Sequence, residues 1–190
     1  MRARNNPRFD APMASWDPSH DTGEKVLLNG TVLPAGQTAA ADLEAALRNI
    51  FEHPNIAPFV ARSLIQQLVA SNPSPAYIRR VAAAFGDNGA GVRGDLAAVT
   101  RAILLDPEAL AVAGRSGGYL TEPSLFVTRL IRLIGGKVED HPVLADEATQ
   151  MGQKLLFAPS VFSYFSPSYR VPRTGIMGPE FQVLTSETSL

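Results

Sequence analysis

The sequence predicts a mainly α fold: an irregular multi-helix bundle with one small β-hairpin and an aromatic C-terminal tail. Three observations lead there. Apolar residues recur at helical spacing through most of residues 39–134. Asn29-Gly30 sits between two short apolar runs in "EKVLLNGTVL". Near the end, Phe157, Phe162, Tyr164, Phe165 and Tyr169 crowd into a proline-broken stretch.

Residues 1–22, rich in Pro and Asp, read as an irregular N-terminal arm, and residues 23–190 as a single helical domain. Asn-Gly accepts the positive φ angles of a two-residue type I′ turn, which predicts a hairpin over about 25–33 with strands of three or four residues. From "TAAADLEAAL" the period turns helical, and Leu43, Leu47 and Ile50 form one apolar stripe with Glu44, Arg48 and Glu52 away from it. A second helix starts near Pro58 and keeps its polar residues Arg62, Ser63, Gln66 and Gln67 on one narrow face. Ser74 as N-cap and Pro75 at the first helical position open a third, which turns Tyr77, Ile78, Val81 and Phe85 inward.

A fourth helix places Leu96, Val99, Ile103 and Leu104 on one side and stops near Asp106-Pro107, since proline disfavours helix in the residue before it. The break "AGRSGGYL" leads to a fifth helix over about 122–134, ended by Gly135-Gly136. A weaker sixth spans about 143–154, and "PEFQVLTSETSL" suggests a last short one.

The chain carries 17 basic and 18 acidic residues, a net charge of −1. That balance supplies no field for nucleic acid or an anionic membrane. With no cysteine, disulfides, thiolate nucleophiles and zinc ribbons are excluded. The opening "MRARNNPRFDAPMASW" lacks the apolar core of a signal peptide, and no window is apolar enough to span a membrane. The start reads like an entry into the middle of a longer chain.

The most conspicuous stretch is "DNGAGVRGD", with Asp87, Asn88, Arg93 and Asp95 as its candidate functional residues. An EF-hand counted from Asp87 would need oxygen ligands where Gly89 and Gly91 stand, and a Glu where Ala98 stands. A phosphate cradle would follow a strand and carry a Lys before Ser or Thr; here a helix precedes and that Lys is missing. A non-EF calcium site on Asp87, Asn88 and Asp95 is the alternative to a plain helix–helix connector, which the glycines favour.

The second candidate is the polar pair His20 and Asp21, which has no further histidine upstream to complete a metal site. His53 and His141, each before a proline, read as loop punctuation. No G-x-S-x-G nucleophile and no paired carboxylates appear, so neither a catalytic residue nor a metal or cofactor is assigned. Arg79-Arg80, Arg101, Arg129 and Arg132 read as solvated faces with local ion pairs. Phe162, Tyr164, Phe165 and Tyr169 either dock on the chain's own core or form a partner surface.

Five segments carry a family likeness: "HDTGEKVLLNG", "HPNIAPFVARSLIQQLVASNPSPAYIRRVAAAF", "GVRGDLAAVTRAILLDPEA", "EPSLFVTRLIRLIG" and "MGQKLLFAPSVFSYFSPSYR". In this order, over about residues 15–190, the chain resembles the C-terminal part of the domain-of-unknown-function family 1800. The resemblance implies a bacterial protein, periplasmic or secreted, of which this chain is a fragment. It also implies a partner, either a missing N-terminal half or a separate exported protein of family 1501, which resembles sulfatases and phosphatases. The expected function is a non-catalytic interaction module. Its rival is one part of a split-site, metal-dependent hydrolase acting on cell-surface polymer, with Asp17, His20, Asp21, Asp87, Arg93 and Asp95 as candidates.

Overall fold

The computed structural model describes residues 10, 14–111, 118–137, 142–161 and 163–183. Among them run strands β1 (Lys25–Val26) and β2 (Val32–Leu33), then helices α1 (Ala39–Glu52), α2 (Ile56–Leu68), α3 (Pro75–Gly86) and α4 (Leu96–Leu104). A single-turn α5 (Pro107–Leu110), α6 (Pro123–Leu133) and α7 (Pro142–Gln150) follow, with 3-10 turns at Asp17–Ser19, Leu28–Gly30 and Pro179–Val183. The fold is mainly helical with one antiparallel hairpin, as the periodicity predicts. The contacts group into two compact units, Met1–Ile56 and Ala57–Leu190.

In the first unit, Lys25 pairs with Leu33 and Val26 with Val32. Asn29 and Gly30 take the positive φ angles their chemistry allows, 59° and 71°. The connection is nevertheless longer than two residues, because Leu27 N–H bonds to Thr31 O at 2.7 Å and Leu28–Gly30 closes as a 3-10 turn. The strands shrink to two residues each, shorter than the three or four predicted.

Thr38 caps α1 through its hydroxyl, which accepts from Ala41 N. The face of α1 that meets the hairpin is its polar and small one. Asn49 Nδ2 donates to Leu28 O at 3.2 Å and to Thr31 Oγ1 at 3.1 Å, and Asp42 is buried while Ala45 and Ala46 are half-buried. The stripe Leu43, Leu47 and Ile50 forms as the spacing predicts, but it faces solvent, 61%, 54% and 48% exposed. In this unit Leu33 and Asp42 are the buried side chains among the described residues.

The second unit holds the apolar core. Ala61 and Ile65 of α2, Tyr77, Val81 and Phe85 of α3, and Val99 and Ile103 of α4 are buried. Tyr77 Oη donates to Ile103 O at 2.7 Å, tying α3 to α4. Burial first, then the Asp106 and Glu108 carboxylates, push this phenol up to about 12, so it stays a donor across the physiological range. Leu96 and Leu104, grouped with Val99 and Ile103 by sequence, are exposed instead. A helix of only nine residues, Leu96–Leu104, presents one narrow stripe to α3, and the two outer leucines fall beyond its edges.

Gln66 departs from the polar face assigned to α2. It is buried, and its Nε2 donates to Ser71 O at 2.9 Å and Pro167 O at 3.4 Å. Ser71 Oγ in turn donates to the buried carboxylate of Glu180, whose Oε1 also accepts from Leu120 N at 2.9 Å. These bonds anchor the irregular tail to the α2–α3 connection. Gln153, buried after α7, caps α6 from outside by accepting from Ser124 N at 2.9 Å.

Candidate functional site

His20 and Asp21 are neighbours in sequence but serve different partners. Asp21 Oδ1 accepts from Gly23 N at 2.8 Å, closing a tight turn. His20 Nε2 instead lies 3.0 Å from Asp42 Oδ2, which Lys25 Nζ also approaches to 2.9 Å. The approaches to Asp42 are charge contacts rather than well-aligned hydrogen bonds; neither carboxylate oxygen has an aligned partner, and nor does His20 Nε2. Lys25 chiefly, helped by the charge of His20 and opposed by burial, holds the Asp42 carboxyl below the usual carboxylate range. Sequence reading passed over Asp42, although a carboxylate in the first turn of a helix, beside "EK" and a histidine in the same unit, was the available signal.

Asp87, Asn88 and Asp95 come together in the α3–α4 connection, where they serve its backbone. Asp87 Oδ1 accepts from Gly89 N at 2.8 Å and Gly91 N at 2.9 Å. Asn88 Oδ1 accepts from Ala90 N, and Asn88 Nδ2 donates to Asp95 Oδ2 at 2.8 Å. Asp95 is the N-cap of α4, its Oδ1 accepting from Ala97 N and Ala98 N at 2.9 and 3.1 Å. The Asn88 amide first, then the Ala98 N–H, lower the Asp95 carboxyl against the opposing effect of burial. Arg93 lays its guanidinium over the Phe85 ring, 5.2 Å from its centre. Gly89, Gly91 and Gly94 take φ of 92°, 77° and 77°, which L-residues avoid.

Asp17 belongs to the first 3-10 turn, where Ser15 Oγ donates to its Oδ1 at 3.2 Å. His53 Nδ1 accepts from Asn55 N at 3.1 Å, and His141 lies outside the described residues. Among the described residues, no group of three or more His, Asp or Glu side chains is placed to hold a metal ion. Outside the sequence-selected set, Arg80 grips the buried Asp106 with both arms of its guanidinium, at 2.6 and 2.7 Å. That pair holds the Asp106 carboxyl below its ordinary value, burial opposing and the Glu108 N–H assisting.

Three depressed carboxyls make a pH prediction. A folded-state value below the unfolded one contributes stability above the unfolded value and loses it as the pH falls toward the folded one. For Asp42, Asp95 and Asp106, whose ordinary value is 3.8, stability is therefore expected to drop as the pH falls below about 4. Urea unfolding midpoints measured from pH 5 to 3 check this. Midpoints that hold or rise over that interval contradict it, and Asp95→Asn should flatten part of the slope.

In the aromatic stretch, Tyr164, Phe165 and Tyr169 are half-buried, and the Tyr164 hydroxyl donates to Lys154 O. Phe162 lies outside the described residues. The most exposed side chains of this stretch are aliphatic, Leu156 at 99% and Val161 at 94%, and the aromatic Phe157 is also open to solvent. Leu156 holds φ at 64°, a left-handed conformation that costs a non-glycine residue roughly 1–2 kcal/mol. On α6, Leu125, Phe126, Leu130 and Leu133 are likewise exposed.

The family model described as "Protein of unknown function (DUF1800)" matches residues 2–181 of the chain. No curated protein and no solved structure matches it.

Proposed function

Since the chain belongs to the DUF1800 family, we propose that it is a non-catalytic helical interaction module of an exported bacterial protein. The observation that carries this reading is the orientation of α1. A helix with the stripe Leu43, Leu47 and Ile50 ordinarily turns that stripe inward, whereas here Asp42 is buried and the stripe is open. The cost of ordering such a helix is recovered when a partner covers the leucines. Leu156 and Val161, held out from the tail, add a second open apolar region. Among the described residues no helix is long and apolar enough to cross a membrane. Location in the periplasm or beyond, like the partner of family 1501, enters this proposal from the family likeness alone.

The test is a binding titration of the full chain against an exported protein of family 1501. Leu43→Asp combined with Leu47→Asp is expected to weaken binding at least about tenfold. Because both side chains are exposed, stability should change by no more than about 0.5 kcal/mol each. Undiminished binding by the double variant, or none by the parent chain, overturns the reading.

One contact favours the hydrolase as a second reading: His20 Nε2 against the buried Asp42, the imidazole–carboxylate pairing that general-base catalysis uses. Lys25 shares the same oxygen, which weakens the case. Hydrolysis of a cell-surface polymer lost in His20→Ala but kept in Asp21→Ala would support it.

A further inference from the structure

In the second unit a groove of about 1090 Å³ is lined by Arg62 of α2, Arg79 of α3 and Arg170 of the tail. Met177 adjoins two of these residues. Arg62 Nη1 lies 3.9 Å from Met177 Sδ, Arg170 pairs with Met177 across an antiparallel bridge, and Met177 N donates to Asn72 Oδ1. Arg79 sits one helical turn beyond Pro75 on the α3 wall.

None of the three has a carboxylate partner among the described residues. Their neighbour Arg80 shows the contrast, since it is fully engaged by Asp106. The acidic residue in the wall is Glu108. It is already occupied, accepting from Ser74 N at 2.9 Å and Ser74 Oγ at 2.5 Å, with Arg80 3.8 Å away. Among the described residues, Arg62 and Arg79 give no hydrogen bond to oxygen, and Arg170 gives one, to Gly175 O at 2.7 Å. Most of the groove's donors are therefore open to a ligand.

We propose that this groove binds a peptide segment of a partner protein that carries several carboxylates among apolar side chains. This goes beyond the α1 face, using different residues and a different force. Guanidinium forks match carboxylate geometry in a way that point charges do not. Val69, Ile78 and Met177 supply apolar wall between them. The space is larger than an inorganic anion fills and reaches the upper end of small-molecule sites. Glu108 in the wall and the chain's net charge of −1 disfavour a uniformly anionic polymer such as nucleic acid, and favour a peptide whose carboxylates are interspersed with apolar side chains.

The experiment probes an array of random peptides, each about a dozen residues long, with the full chain. Bound peptides are expected to be enriched about threefold or more in Asp and Glu, alongside aliphatic residues. A peptide selected this way should bind Arg79→Glu and Arg62→Ala at least about tenfold more weakly, and should weaken further as salt is raised. Arg79 is exposed and makes no ion pair among the described residues, so its variant should keep the fold; an unchanged urea midpoint verifies that. No bound peptide, binding without acidic enrichment, or enrichment that survives both substitutions overturns the proposal. So does displacement of the selected peptide by inorganic phosphate or a single-stranded oligonucleotide at the same concentration as a second acidic peptide.

Discussion

Ile65→Ala is expected to destabilise the protein by about 3 kcal/mol, whereas Leu47→Ala should cost only a few tenths. Both positions lie on the apolar stripe of an amphipathic helix, and by sequence pattern they look equivalent. Their surroundings differ. Ile65 is fully buried among the side chains of the second unit, so truncation leaves a cavity whose lining loses its contacts. Leu47 is 54% exposed, so its truncation removes little buried area and opens no cavity. Chemical denaturation of both variants checks the pair, and in thermal unfolding of a chain this size the Ile65 effect corresponds to a Tm lower by about 10 °C. A large loss at Leu47 would mean that its stripe is covered in solution.

Glu180→Ala should cost about 2–3 kcal/mol, the second-largest expected effect. The carboxylate is buried and accepts from Ser71 Oγ and Leu120 N. Truncation leaves the buried Ser71 hydroxyl only its longer contact to Gly118 O, at 3.3 Å, and removes the acceptor of the half-buried Leu120 N–H, and a buried unsatisfied donor costs roughly 1–3 kcal/mol. Glu180→Gln separates this account from a simple loss of charge. The amide oxygen can still accept, so the Gln variant should keep more than half of the lost stability. Limited proteolysis supplies a second readout, because the tail depends on this anchor: Glu180→Ala should expose the segment around Arg170 and Arg173 to trypsin before global unfolding. Equal stability of the Ala and parent proteins would remove the anchor from the account.

The groove proposal and the α1 proposal meet in one respect. Each rests on side chains left open to a partner: exposed leucines in the first unit, and in the second guanidiniums without a carboxylate partner among the described residues. The polar features that first drew attention are spent internally instead. Asp87, Asn88 and Asp95 satisfy the backbone of a short loop, and Asp21 closes a turn.

Local chemistry was legible wherever its consequence is local. Ser74 and Pro75 start α3, and Asn29-Gly30 turns the hairpin, because a cap or a positive φ is decided within a few residues. Three of the four residues read as inward on α3 are buried, Tyr77, Val81 and Phe85, because they share one face of an amphipathic helix, while Ile78, at that face's edge, is only half-buried. Asp42, Gln66 and Glu180 were not legible. A buried polar residue is chosen by the partners that reach it, here Lys25 with His20, Ser71 with Pro167, and Ser71 with Leu120. Those partners lie up to 109 positions away, beyond any periodicity.

By itself, then, the sequence determined the helical class, the hairpin, the caps and the family likeness, all of which follow from short-range sterics, hydrogen bonding and the order of segments. Only the tertiary structure decided which face of α1 is covered, which carboxylates are engaged, and which arginines line one groove without a carboxylate partner among the described residues. Those depend on distances between residues far apart in the chain, and charge and burial act through distance rather than through sequence position.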